Sequence, residues 1–426
     1  MLGSGDEPDP GFIKRVEHRE EIRYCLSTPT QQERMISMLN QDYITRILNL
    51  EDVKVTNVEN ITSQVHIYLE LPRRKHVCPG CGALTDTVHD YRTQVIKDIP
   101  LGTETYLHLR KRRYRCRCGK RFFETNEFLP RYHRVTKRLV ASVIQAFHKL
   151  HTAKEIGSRY NVSGVTAMRY FNCFDHTPTE LPEVLSLDEF KGNSGGQKYN
   201  SLIVDPKDKK VLDVLPNRYE SSLIKYFSGF PSKKNVKYFV CDMNPHFREV
   251  AKTCFPQATI VADKYHVVRQ VYWAMENVRK NEQKKLSEVF RKYFKKSRSL
   301  LMKPITNLTD EEMNRLALMF EIAPRLADAY RFKNDFLTVF RSESTNEAKQ
   351  RLADWIYSAE LMDMPEFRDC VKAYHNWFEE IVHSITVPWS NGYIEGCNNK
   401  TKVLKRVCFG MRNFSNFRKR ILFCNQ

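Results

Sequence analysis

The sequence predicts an α/β protein: a mixed-sheet core split by a helical insertion and preceded by two small modules. Three observations carry this. Two close cysteine pairs, Cys78/Cys81 and Cys116/Cys118, flank a hairpin-like spacer. A helix, a turn and a second helix follow within residues 134–176. From residue 184 strands alternate with helices, and aspartates fall at the strand ends.

Length and charge bound the reading. The chain has 426 residues, a prior for about three domains at roughly 150 residues each. Hydrophobic residues make up 41% and charged residues 28%, which are globular values. The formal net charge is +19, an excess that favours a polyanionic partner such as nucleic acid. No apolar run approaches the roughly 18 to 20 residues of a membrane span. The start MLGSGDEPDP lacks the basic and apolar regions of a signal peptide. Twelve cysteines in this context read as reduced thiols. A cytoplasmic, nucleoid-associated protein with no membrane partner is expected. The charge is unevenly spread: residues 72–138 carry +11 and residues 396–426 carry +8, while residues 1–71 carry −5.

Residues 1–37 read as a poorly specified lead-in, and residues 38–133 as an N-terminal strand region with the cysteine module. MISMLNQDYITRILNL reads as a short helix, and VKVTNVEN and SQVHIYLEL as a strand pair. Cys78, Cys81, Cys116 and Cys118 have the spacing of a structural zinc ribbon, in which four thiolates close a tetrahedral Zn²⁺ site. Gly80, Gly82 and Gly119 supply the tight turns. The second pair departs mildly from pattern, being C-x-C. Around it Arg112, Arg113, Arg115, Lys120 and Arg121 alternate with aromatics, as expected of a surface that contacts phosphates.

Residues 134–176 read as a helix-turn-helix DNA-binding domain. TKRLVASVIQAFHKL and TAKEIGSRY are its first helices, with the turn around Asn161. The recognition helix is capped by Ser163. Ala153, Ile156, Val162, Val165 and Met168 are assigned to the interior, and Ser163, Thr166 and Arg169 to the DNA groove. DHTPTELPE is the linker to the core.

The core is read over 184–275 and 389–426. Its order, three strands then helix, strand, helix, strand, helix, is the ribonuclease H-like layout. Asp188 lies in the first strand, Asp242 and Asp263 end the fourth and fifth, and His266 follows. Glu395 lies on a late helix. One such aspartate is more often a turn or cap residue. The whole set can hold a pair of Mg²⁺ or Mn²⁺ ions for in-line attack on phosphorus. The same late helix carries Asn398, Asn399 and Lys402 on one face with Glu395, and then Lys405 and Arg406, read as DNA-facing. Residues 276–388 form the helical insertion, with Trp355 and Trp377 at core positions. Its basic run 279–298 is read either as a DNA contact or as a solvated helix face.

These motifs together, CPGCG with RYRCRCGKRF, the helix-turn-helix, LSLDEFKG, VCDMNPHFREVAKTCFPQATIVADKYHVVR and NGYIEGCNNKTKVLKRVCFGMRNF, resemble the ISL-three type of bacterial insertion-sequence transposases over about residues 38–424. The resemblance implies a DDE transposase. It would bind double-stranded DNA, both terminal inverted repeats and target, and work as a homodimer or larger assembly. Asp188 matches the first catalytic acid and Glu395 the third; of Asp242 and Asp263, Asp242 fits the second best, which leaves Asp263 and His266 as active-site support. Two alternatives remain open: a non-catalytic DNA-binding regulator derived from such an enzyme, and a structure-specific nuclease of the same fold.

Overall fold

The computed structural model describes residues 43–426 apart from 51, 131, 132 and 363. The expected lead-in over 1–37 and the start of the first helix lie outside the described residues. The chain divides into two compact units, up to Thr136 and from Lys137 onward.

The first unit is built on a twisted sheet. β1 (Lys54–Ile61) and β2 (Gln64–Glu70) form a hairpin. Its two turn residues, Thr62 and Ser63, both take positive φ, the conformation that matches the twist of the flanking strands. Next come the short β3 (His76–Val77) and β4 (Leu84–Thr85), which pair with each other. β5 (Val88–Leu101) and β6 (Thr103–Arg115) make a long hairpin, and β7 (Arg121–Phe123) adds to the end of β6. The sheet order is β1-β2-β6-β5, with β2 and β6 parallel. Val55, Ile67, Leu69, Ile96, Leu107 and Leu109 fill its core.

The second unit opens with α1 (Lys137–Ala146), α2 (Ala153–Arg159) and α3 (Gly164–Phe171). Thr152 and Glu155 form a capping box at the start of α2, and Ser163 caps α3. A Cβ on Gly157 would lie 2.6 Å from the Val162 carbonyl oxygen, so only glycine allows α2 to approach the turn this closely.

A five-stranded mixed sheet follows. β8 (Val184–Phe190), β9 (Asn200–Asp205) and β10 (Lys210–Leu215) run as an antiparallel meander. α4 (Glu220–Ser228) leads to β11 (Tyr238–Cys241), α5 (Pro245–Cys254) to β12 (Thr259–Ala262), and α6 (Lys264–Lys284) leaves the sheet. β11 is parallel to both β8 and β12, giving the order β10-β9-β8-β11-β12.

Helices then continue as α7 (Glu288–Lys296), α8 (Arg298–Met302), α9 (Asp310–Ile322), α10 (Pro324–Val339), α11 (Thr345–Leu361), α12 (Arg368–Asn376) and α13 (Phe378–Thr386). The chain closes with α14 (Gly392–Val407) and α15 (Phe414–Cys424).

Alternation along the strands decides the layers. Leu185, Leu187 and Ile203 enter a core shared with α4 to α13, where Trp355 and Trp377 are buried as expected. Leu202, Val204 and Phe190 face the other way, against Ile394, Leu404, Phe417 and Ile421 of α14 and α15. The sheet is therefore sandwiched between two helical layers. No described helix is long and apolar enough to cross a membrane.

Candidate functional site

The acids are placed by strand parity. Leu187, Cys241 and Ala262 all enter the core on the α4–α13 side. The residue after each, Asp188, Asp242 and Asp263, therefore turns toward the side covered by α14. Register adds a second constraint. Leu187 pairs with Cys241 and Cys241 with Ala262, so one step further Asp188, still within β8, falls in a row with Asp242 and Asp263 just past the ends of β11 and β12. Glu395 stands in the first turn of α14, and the charge of Asp263 raises its carboxyl after burial has done so.

Each aspartate has different company. Asp188 accepts from Asn398 Nδ2 at 2.7 Å and from the Glu189 backbone N–H at 2.7 Å. Asp263 spends both oxygens: Oδ2 on His266 Nδ1 at 2.7 Å and Oδ1 on the Asn391 backbone N–H at 3.3 Å. Asp242 has a buried Oδ1 with no hydrogen-bond partner. Burial pushes Asp188 up to about 6. It also raises Asp242, with the charge of Asp188 adding to the effect. His266 is raised, chiefly by its bond to Asp263.

Buried carboxylates that repel one another, one of them with an unsatisfied oxygen, are what a hard cation relieves. The donor set of Asp188, Asp242 and Glu395 fits a divalent ion on these grounds. It is a looser group than the cysteines. Among the described residues, only the four thiols have ligand atoms all within 4.8 Å of one another.

That thiol site belongs to the first unit. Sγ of Cys78 is 3.6 Å from Cys118, and Cys81 is 3.5 Å from Cys116. Each pair sits at a hairpin tip, β3/β4 for Cys78 and Cys81, β6/β7 for Cys116 and Cys118. The turns are closed by Gly82 N–H to the Cys78 carbonyl (2.9 Å) and Gly119 N–H to the Cys116 carbonyl (3.0 Å). Gly82 and Gly119 take positive φ, whereas Gly80 does not. The C-x-C spacing still delivers both sulfurs. Four converging thiols support a structural Zn²⁺ site.

The expected DNA-contacting residues divide. Arg115, Lys120, Arg121, Ser163, Arg169, Lys402 and Arg406 are exposed, and Thr166 and Lys405 are partly so. Arg113 pairs with Asp90. Arg112 departs from expectation: it is buried, bonded to the Leu71 carbonyl at 2.5 Å and paired with Glu70 and Glu124 at 3.1 and 3.4 Å. Its charge is consumed inside the sheet, so it has no hold on a phosphate. Val165, assigned to the helical interior, is 81% exposed, because Ala167 and Phe171 form the inward face of α3. Asn398, read as DNA-facing, is buried against Asp188.

Sequence reasoning missed Asn391 and Ser186, which hydrogen-bond each other behind Asp263. A polar residue just ahead of a helical run was the available signal for Asn391.

A family model described as Transposase, the ISL3 type, matches residues 185–421, and one described as the zinc-finger of transposase IS204/IS1001/IS1096/IS1165 matches residues 74–118. The chain is 26% identical over 377 residues to the transposase for insertion sequence element IS1001 of Bordetella parapertussis, covering 82% of this chain and 89% of that protein. It is 24% identical over 241 residues to the transposase for IS1557 of Mycobacterium tuberculosis, covering 51% of this chain and 54% of that one. A shorter match, 28% over 131 residues, is to a Lactococcus lactis protein named ATP-dependent protease, covering 30% of this chain and 37% of that protein.

Proposed function

Because this chain belongs to the ISL3 family of transposases and is a DNA transposase, we propose that it binds the terminal inverted repeats of an insertion sequence and cleaves and joins strands at the acid-lined edge of its mixed sheet. One observation carries the placement of the chemistry. Asp188, Asp242 and Asp263 stand in one register row facing the helix that bears Glu395. The strand order β10-β9-β8-β11-β12, with its antiparallel start, supports reading the core as ribonuclease H-like.

Of the two late aspartates Asp242 is the favoured ligand, because it keeps a buried oxygen with no partner, whereas Asp263 is bonded to His266 and is read as positioning that ring. Asp188, Asp242 and Glu395 would hold the divalent cations. Bound Mg²⁺ or Mn²⁺ supplies Lewis-acid stabilisation of charge on the phosphoryl oxygens. Asn398 fixes the Asp188 carboxylate. Asp263 fixes the His266 ring through Nδ1, which leaves Nε2 to donate a proton toward a phosphate or leaving 3′-oxygen.

The helices α1 to α3 are read as a helix-turn-helix. α3 presents Val165 and Arg169, an apolar and a cationic contact suited to base edges and phosphates. Arg115, Lys120 and Arg121 beside the zinc site would hold phosphates, and zinc would keep both knuckles in register. Two ends must be brought together, so a dimer or larger assembly is expected on DNA, working in the cytoplasm on the nucleoid.

The test is cleavage of end-containing DNA with Mg²⁺ or Mn²⁺. Asp188→Asn, Asp242→Asn and Glu395→Gln should each abolish cleavage and leave end binding intact. Retained activity in Glu395→Gln would sink the assignment. Cleavage without strand-transfer product and without a need for the repeats would favour the nuclease reading. Binding with no cleavage would favour the regulator.

A further inference from the structure

α6 leaves the sheet directly from Asp263, and its outer face is chemically graded. The side chains on that face are Tyr265, Arg269, Trp273, Asn277, Lys280 and Lys284, spaced by three or four residues along one stripe. Tyr265 is 56% and Trp273 50% exposed, which is unusual for aromatics that the core could have used. Arg269 lies between them, its guanidinium carbon 4.1 Å from the Trp273 ring centroid and 6.0 Å from that of Tyr265. Tyr265 also meets His266 edge-on at 5.4 Å.

Further along, Asn277, Lys280, Asn281 and Lys284 line a cleft of about 700 Å³ together with Arg291 and Arg325. Of the cleft's two carboxylates, Glu366 is already tied to Arg325 at 3.2 Å and to Asn281 at 2.9 Å; the other is Asp369. The acids of α6 itself, Glu276 and Glu282, are buried and paired with arginines, so the stripe exposes no carboxylate.

We infer that this stripe is a track for single-stranded DNA, with bases stacking on Tyr265, Arg269 and Trp273 and the backbone running on toward Lys280 and Lys284. The inference rests on the transposase reading and adds the path of an unpaired strand to it. Three features favour a single strand over a duplex. Flat π-faces in a row accept unpaired bases, whereas a duplex hides its own. Apart from Arg269, whose planar guanidinium is itself a stacking surface, the cations come after the aromatics. The track begins two residues from Asp263, at the edge where strands would be cut. From Tyr265 to Lys284 it spans about 28 Å at 1.5 Å per residue, and with stacking side chains about 6 Å apart it has room for about five nucleotides.

The test measures fluorescence anisotropy of a labelled twelve-nucleotide oligo-dT and of a blunt duplex carrying the element end, using the full-length protein. Trp273→Ala should weaken oligo-dT binding by about tenfold, the loss of one stacked base, and change duplex binding less than twofold. Trp273→Phe should restore most of it. Unchanged oligo-dT affinity in Trp273→Ala, an equal loss on the duplex, or no oligo-dT binding by wild type would each overturn the track. Failure of wild type to bind the duplex end would instead count against the proposed function.

Discussion

Asn398 Nδ2 donates to Asp188 Oδ2 at 2.7 Å, joining residues 210 positions apart in the chain. The bond fixes a carboxylate that burial alone would leave free to protonate and turn. Asn398→Ala should lower cleavage about 10- to 100-fold, the usual cost of losing a group that orients a metal ligand. Half-maximal activity should need more Mn²⁺, and the fold should persist. Unchanged Mn²⁺ dependence would show that Asn398 is structural only.

The open oxygen of Asp242 gives a binding prediction independent of catalysis. Divalent ions should raise the unfolding temperature of wild type. At tenfold over Kd the gain is about 1.4 kcal/mol. Asp242→Asn should be more stable than wild type without divalents, because a buried charge is removed, and should lose the response to Mg²⁺. A preserved response in Asp242→Asn, read by calorimetry, would exclude it as a ligand.

The thiol site predicts about one zinc per chain by elemental analysis. Cys118→Ser is the most informative variant, because Cys118 is the sulfur that the C-x-C spacing puts in question. It should release zinc and weaken end binding, since a structural metal supplies folding free energy. Full zinc content in Cys118→Ser would reduce the site to three sulfurs.

Lys333 is fully buried, donates to the carbonyls of Leu301 (3.1 Å) and Lys303 (2.5 Å), and is pushed down to about 7 by burial. An unfolded lysine titrates near 10.4. Between about pH 7 and 10 the unfolded chain thus holds one more proton, and this group makes stability rise with pH; below about 7 both states are protonated and its contribution is flat. Lys333→Met abolishes that dependence. Its stability relative to wild type should therefore fall by on the order of 1–2 kcal/mol between pH 7 and pH 9 in urea denaturation. A constant difference would place the folded pKa elsewhere.

Arg420 is 1% exposed and caps the end of the first helical segment through the carbonyls of Phe147 (2.6 Å), Lys149 (3.4 Å) and His151 (2.9 Å). Arg420→Met strands all three and should cost about 3 kcal/mol. Arg420→Lys should recover only part, lacking the planar fork. Chemical denaturation measures both, and zinc content should not change.

The sheet of the second unit was legible because its signals are local. VLSLDEF spans β8 residue for residue, and aspartates mark where β11 and β12 stop. α1 was read through Leu150 but ends at Ala146, after which the N–H groups of Phe147, His148 and Lys149 bond to carbonyls three residues back, not four. The β5–β6 hairpin was read only as a hairpin-like spacer between the cysteine pairs, without strand bounds, because bulges break its alternation near both ends and its inner strand carries a run of charges. Arg112 looked like its neighbours, yet the buried positions of β6 switch parity between Leu109 and Arg112. Which late aspartate is free could not be read either, because it depends on the backbone of Asn391, far along the chain.

The aromatic contacts around Phe423 have a temporal meaning. Phe171 and Phe174 meet it edge-to-face at 5.3 and 4.9 Å, and Arg420 lies 273 residues beyond the Phe147 carbonyl it holds. At about 5–20 residues per second, a ribosome needs roughly 14–55 s to make that interval. The three helices read as the DNA-reading unit are synthesised early and closed late. A product that stops before α15 carries them without their seat, and so should compete poorly with finished protein for the ends of the element.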